Sequence, residues 1–404
     1  MQPKIVLYYN DLVYCPSESF LFKDFGQVPY VLSELYKTDL EYWISASHLN
    51  PDFDRFRGKR VRQFGKTLRQ LPGRLDFLKN MRLYRAIDRD PDLTHFVLFP
   101  FTPLTDLMVA RRVRRRRPDA RIIVKLDTNR EFLDAMAAEW RRWRKHPLRF
   151  TRQCHHYREL LRMADLVLCE TSECEAVLRG MFLDLDLDGK LAKTFSGLSQ
   201  SWLRSIGVKD VPVEDRRSAI MVSGRISSSQ KNTALVLEAG PPPPGWTIEF
   251  IGEVDPQLEE TIASHRAADP RFDEHYRFHG AIADKRRYFD LLMHARALLM
   301  NSRGGEGFPN VFAEAHYCGL AIVSSDVSGA ADATDQGRLG VVYPPEDAAA
   351  LRAALGTLPD CAGFERVNPE IEEYRRRFIW EHSLDQPAIR RLFDGAVTQD
   401  QAAR

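Results

Sequence analysis

The chain of 404 residues has only six cysteines, at positions 15, 154, 169, 174, 318 and 361, and none forms a CxxC pair. That excludes a disulfide framework and a paired-thiol zinc site. Cys154 stands beside His155 and His156, but a second ligand pair at zinc spacing is missing. Reduced, buried thiols are expected. No apolar run reaches the ~20 residues that span a bilayer. The start lacks a basic segment followed by an apolar one and runs directly into an apolar strand at Ile5–Tyr9, so no signal peptide is read and a cytoplasmic location is expected. Net charge is also small, at +2. The small total hides a bias. Residues 51–162 hold 29 Lys and Arg against 13 Asp and Glu, an excess of 16, which leaves the remainder acidic by 14. Such asymmetry points to an anionic partner for the first half: membrane headgroups, a phosphorylated glycan or nucleic acid.

What is present is organised around Met300 to Gly329. An apolar run ends at Met300. Gly304, Gly305 and Gly307 break it, a helix starts near Pro309 and stops at Gly319, and a second apolar run covers Leu320 to Ser324. This reads as a βαβ unit of a parallel sheet. Proline suits the first position of a helix, where its missing N–H costs nothing. The free N–H groups of that helix start favour a phosphate, and the glycines let one approach closely. Glu306 and Glu314 flank the site, eight positions apart. An ionised carboxylate only accepts hydrogen bonds, so sugar or ribose hydroxyls are its natural partners. The alternative reading is an ordinary βαβ unit with a capping Glu.

A second cluster precedes it. Ala219 to Ser223 is an apolar strand, followed at once by Arg225 and, six residues later, by Lys231 before a helix. Two cations in a strand-to-helix loop would clamp a diphosphate.

The Glu-x7-Glu spacing followed by Gly307, Phe308 and Pro309, with Gly-Arg…Lys-Asn upstream, resembles the nucleotide-sugar site of GT-B glycosyltransferases, and among them the retaining enzymes of family 4. The likeness covers nearly all of the second half with specific motifs, but only element order in the first. It implies an α/β chain of two Rossmann-like, doubly wound domains facing across a cleft. Expected boundaries are 1–206 for the acceptor-binding domain, 207–375 for the donor-binding domain, and 376–404 for a helix crossing back to the first.

The resemblance also implies roles. Arg225, Lys231 and the turn Gly307, Phe308, Pro309, Asn310 and Val311 hold the diphosphate of a UDP- or GDP-sugar. Glu314 takes the ribose hydroxyls, and Glu306 faces the donor sugar. Ala281 and Ile282 meet the base. Gly26 and Gln27, in the loop after the first strand, face the pyrophosphate or cap a helix. Asp127 stands where many members have His or an acid, and either assists transfer, positions the acceptor or merely precedes the helix cap at Thr128 and Asn129. No metal or further cofactor is implied, and transfer retains anomeric configuration by front-face attack.

The first half gives less. The run Arg111–Arg117 and the stretch 131–162, with Trp140, Trp143 and cations between them, suit either an anionic membrane surface or a solvated helix with its tryptophans turned inward. Asp184, Asp186 and Asp188 lack metal-site spacing and read as an amphipathic surface segment. The expected activity is addition of a sugar to a saccharide or lipid-linked saccharide in bacterial envelope polysaccharide synthesis, at the inner membrane face, with no specific nucleic-acid partner. The alternatives are a nucleotide-sugar epimerase of the same fold, or a basic nucleic-acid-binding protein.

Overall fold

The computed structural model describes residues 3–10, 16–66, 80–145, 152–359 and 369–401. The pair Pro72–Gly73, whose sequence breaks the helical pattern of the basic stretch after Arg55, lies outside them.

The first half builds an eight-stranded sheet from β1 (Lys4–Asn10), β2 (Asp39–Ala46), β3 (Arg55–Phe56), β4 (Lys59–Gly65), β5 (Leu93–Leu98), β6 (Arg121–Lys125), β7 (Leu166–Cys169) and β8 (Leu191–Lys193). Their order is β3-β4-β2-β1-β5-β6-β7-β8, parallel except for the β3–β4 hairpin. β1 is buried along its whole length, which explains its continuous apolar run. The second half builds a six-stranded parallel sheet from β9 (Ala219–Ser223), β10 (Thr247–Ile251), β11 (Tyr276–Phe278), β12 (Ala297–Met300), β13 (Ala321–Ser325) and β14 (Gly340–Tyr343). Its order is β11-β10-β9-β12-β13-β14. Each sheet has a buried apolar cluster on either face, covered by helices. In such sheets ligands sit beyond the carboxyl ends of strands near the point where strand order reverses. Here those points are β1/β5 and β9/β12.

The chain passes between the sheets twice, and the two crossings run side by side. The Leu198 amide donates to Phe378 O at 3.0 Å, and the Trp380 amide donates to Leu198 O at 2.9 Å. Beyond the second crossing the helix Pro387–Gln401 lies on the first domain: Phe393 stacks on both Tyr36 and His95, with centroids 4.2 Å apart in each pair.

Several expectations need correction. The helix after β1 and its loop begins at Asp24 and runs to Leu35, so Gly26 and Gln27 lie inside its first turn rather than in a loop. Gly26 is needed for packing: a Cβ there would fall 2.1 Å from Leu21 O. Trp140 faces inward against Phe182, not outward toward a bilayer; the side chain of Trp143 lies outside the described residues. The arginine run is also less free than it reads. Arg112 and Arg116 pair with Asp88, Arg114 pairs with Asp165, and Arg117 donates to the carbonyls of Asp88 and Asp90. The Asp184–Asp188 segment is a surface turn, with Asp184 and Asp188 paired to Arg158 and Arg179. The four described cysteines are buried thiols outside any disulfide.

Candidate active site

The βαβ unit forms as expected, with the helix at Asn310–Cys318 between β12 and β13. Pro309 occupies the capping position, one residue earlier than expected, and Gly319 ends the helix at φ 70°. The turn before it needs glycine: Gly304 and Gly305 have φ of 156° and 73°.

Glu306 is the hub of this turn. Its Oε1 accepts from Lys231 Nζ at 2.9 Å, Ser302 Oγ at 2.9 Å and Gln230 Nε2 at 3.1 Å. Lys231 is held in reach by backbone. The Arg303 amide donates to Gln230 O, and Asn301 Nδ2 donates to the carbonyl of Asn232, a residue held at φ 48°. So the two sequence clusters meet, with Lys231 and Glu306 75 positions apart. Arg225 sits exposed at the end of β9 with no ion pair among the described residues.

Glu314 lines a cleft of ≈ 180 Å³ between the domains, with Asn310 and Lys285 from the second domain and Lys23, Asp24 and Gln27 from the first. Its Oε2 accepts from Tyr288 OH, which is itself 2.7 Å from Ser223 Oγ. Burial pushes the Glu314 carboxyl above its usual range, against the opposing pull of Tyr288 and Lys285. Gln27 thus reaches the cleft, whereas Gly26 is spent on packing. Phe308 faces inward and packs on Phe195, Phe312 and Phe378, which leaves only its backbone for a ligand, whereas Val311 packs against the second-domain core but stays half-buried. Ile282 packs on the same core, and Ala281 beside it is exposed.

The first domain answers with charge. Lys125, wholly buried at the end of β6, donates to Glu170 Oε1 and, at 3.3 Å, to Asp24 Oδ2. Burial alone would lower this ammonium, but Glu170 and Asp24 outweigh it and raise it. A simple ion pair would hold Glu170 down. Instead burial, with Asp127 and Asp24 nearby, drives it well above its usual range despite Lys125. Asp127 is exposed at the seam between the domains, where it faces a cavity of ≈ 240 Å³ walled by Phe99, Phe101, Phe132 and Tyr157. Desolvation first, then the Asp24 charge, raises it to about 6, and solvent in the cavity softens that effect. Thr128 does not cap the next helix; its hydroxyl donates to Cys174 Sγ. Asn129 does cap, accepting from the Phe132 amide.

The two halves touch here. A Cβ on Gly307 would fall 2.5 Å from Asp127 Oδ1, and the Gly305 amide donates to Glu131 Oε1 at 3.1 Å. Arg130 pairs with Asp326 across the same seam, and Asp332 accepts from the Ser172 amide at 2.7 Å. The sequence pattern did not single out Lys285, Tyr288, Gln230, Glu131 or Glu170. Glu170 carried one visible signal, a charge set directly after the apolar run Leu166–Cys169.

Residues 217–360 match the family model described as glycosyl transferases group 1. No curated protein sequence matches the chain. Among solved structures, the lipopolysaccharide outer core galactosyltransferase WaaB in its apo form is 16% identical, with a TM-score of 0.64, covering 98% of this chain and 99% of that one. A sucrose-phosphate synthase from Thermosynechococcus elongatus is also 16% identical, with a TM-score of 0.61 and full coverage of both chains. Anabaena HepE in complex with UDP is 13% identical, with a TM-score of 0.61 over 98% of this chain and 100% of that one. With a glycosyltransferase group 1 segment in its second half, the chain has the GT-B fold, two Rossmann-like domains set face to face.

Proposed function

We propose that the protein is a retaining glycosyltransferase that moves a sugar from a UDP- or GDP-sugar to a saccharide or lipid-linked saccharide. The observation that carries this reading is the meeting of Lys231 and Glu306 at 2.9 Å, in a glycine turn that opens beside Glu314. Lys231, Arg225 and the N–H groups of Gly307 to Asn310 hold the diphosphate. Glu314 accepts from the ribose hydroxyls. Glu306 orients a hydroxyl of the donor sugar and stabilises positive charge growing at the anomeric carbon. As the glycosidic bond breaks, negative charge builds on the leaving diphosphate. Cations and amides gathered at one turn would stabilise that charge, the main catalytic contribution in this reading. The domain contact at Gly307 excludes water and limits hydrolysis of the donor. The HepE complex with UDP supports a uridine donor, and the WaaB likeness supports an envelope glycan as the acceptor. No described helix is long and apolar enough to cross a membrane. We assign acceptor delivery to a peripheral contact in the cytoplasm through the basic half, where Arg111 and Arg115 remain exposed.

An epimerase would bring histidines and acids together for proton transfer, yet no histidine lines either cavity among the described residues. The test is a thermal-shift screen against UDP- and GDP-sugars, followed by product analysis with and without saccharide acceptors. A stabilising donor that yields a glycoside of unchanged anomeric configuration supports the reading. Epimerised donor without an acceptor, or no nucleotide binding at all, overturns it.

A further inference from the structure

A third cavity, of ≈ 570 Å³, opens beside the two crossings and shares no lining residue with the donor cleft. Both domains wall it. Lys193 ends β8 of the first domain, while Arg376 and Arg377 close the helix Pro369–Arg376, which packs on the second-domain core through Ile371 and Tyr374. With Arg390, these give four permanent cations, two more than the carboxylates Glu373 and Asp385 in the same wall. The surplus falls on particular groups. Arg390 holds Asp385 by two bonds, at 2.5 and 2.6 Å. Arg376 stands 3.6 Å from Glu373. Arg377 lies over the Tyr374 ring at 5.0 Å and has no ion pair among the described residues. Lys193 places one of its three N–H groups on Ser172 Oγ, at 2.8 Å, and its ammonium lies 5.2 Å over the Phe195 ring. The first crossing separates this cavity from the donor cleft. Lys193 and Phe195 line the one, and Gly197, Leu198 and Ser199 line the other. Lys193 also reaches the domain seam, because the Ser172 hydroxyl donates onward to Asp332 Oδ1 at 2.5 Å.

We propose that this cavity is a second anion site, which takes a small phosphate ester between Lys193 of the first domain and Arg376 and Arg377 of the second. Guanidinium groups pair with phosphate oxygens through two parallel bonds, and the lysine adds a point charge. A volume of ≈ 570 Å³ leaves room for a sugar ring on the phosphate. An anion bridging these side chains ties the domains together in the arrangement where Gly307 meets Asp127. It thereby favours the form in which the donor cleft is complete, so the two sites help each other to fill. The site itself stands on the fold; only its effect on the donor rests on the transfer reading above.

The experiment is calorimetry on the full chain at fixed ionic strength. Mannose 6-phosphate, inorganic phosphate and mannose are titrated in turn, each with and without saturating UDP. The ester binds in both conditions, more tightly than free phosphate, and mannose does not bind. Replacing Arg376 and Arg377 together (R376A, R377A) weakens the ester by about ten-fold or more and leaves UDP affinity measured without it unchanged. In the wild type the ester tightens UDP by about five-fold, UDP tightens the ester by the same factor, and the double variant loses both effects. Lys193→Met still binds the ester, more weakly, but without the effect on UDP, because only one domain is then held. If the double variant fails to fold, Arg377→Ala alone decides. Equal ester affinity in wild type and variant overturns the site, and so does displacement of the ester by UDP, which would place the anion in the donor cleft. Free phosphate binding as tightly as the ester overturns the choice of ligand. Ester binding that leaves UDP affinity untouched overturns the coupling. A chain that binds the ester but neither UDP nor GDP supports this site and overturns the transfer reading.

Discussion

The Glu131 carboxylate of the first domain accepts a hydrogen bond from the Gly305 amide of the second, at 3.1 Å. The turn proposed to receive a diphosphate is thus met by a carboxylate of the protein itself. The contact lies at the surface, so it belongs at the low end for hydrogen bonds to charged groups, about 1.5 kcal/mol. That is roughly a ten-fold shift between closed and open forms. Glu131→Ala therefore gives a larger radius of gyration in small-angle scattering. Superimposable curves for variant and wild type would show that this bond does not hold the domains together.

Gly307→Ala probes the same seam without touching charge. Gly307 is not among the residues with positive φ, so alanine costs little in its own backbone. Its methyl group, however, would meet Asp127 Oδ1 at 2.5 Å. The domains then stop short of contact. The expected result is a kcat reduced by about ten-fold or more, with the melting temperature changed by no more than ~2 °C. Wild-type turnover would mean that catalysis does not need this approach.

Lys231 and Glu306 touch each other, but they separate kinetically. Lys231→Ala removes a charge from the bound diphosphate in both ground and transition states, so donor KM rises by about ten-fold or more. Glu306→Gln keeps the shape and removes charge that matters as the anomeric carbon turns cationic, so kcat falls by about 100-fold with a smaller change in KM. Steady-state kinetics with the donor varied distinguishes them. Identical effects of both variants on KM alone would place Glu306 among simple binding groups.

Glu314 trades stability for binding. Its folded-state pKa is raised, so the folded chain holds this proton more tightly than the unfolded chain does. The stability linked to it is present below the unfolded value of ~4.3 and is lost as pH rises through the folded value. Glu314→Gln thus raises the melting temperature at pH 7, by about 2 °C, but not at pH 4. Donor KM rises at the same time, because the amide accepts poorly in place of the carboxylate. A variant that melts lower at pH 7 would show that the Tyr288 bond outweighs the burial of charge.

The sequence carried the second domain well because its signals are local. Glycine at Gly304 and Gly305, the stop at Gly319 and the spacing of Glu306 to Glu314 depend on residues within a few turns of one another. It also brought Lys231 toward that turn, through a motif on a neighbouring strand. It failed where a residue's task depends on distant partners. Gly26 looks like a loop residue until Leu21 is folded against it. Trp140 reads equally as a membrane anchor or as an inward-packed residue, and only Phe182 from another element decides for the second. The arginine run looks free until Asp88 and Asp165 arrive from other elements. Lys125 and Glu170 are ordinary strand ends in the sequence, and only pairing across β6 and β7 makes them a buried charge cluster.

The paired crossings at Leu198 and Trp380 have a mechanical consequence. One connecting segment would leave a domain free to swivel and tilt in any direction. Two segments laced together behave like the knuckles of a door, and leave a single line about which the halves can swing. Every opening and closing stroke then carries the glycine turn along one arc, and returns Gly307 to the same carboxylate each time.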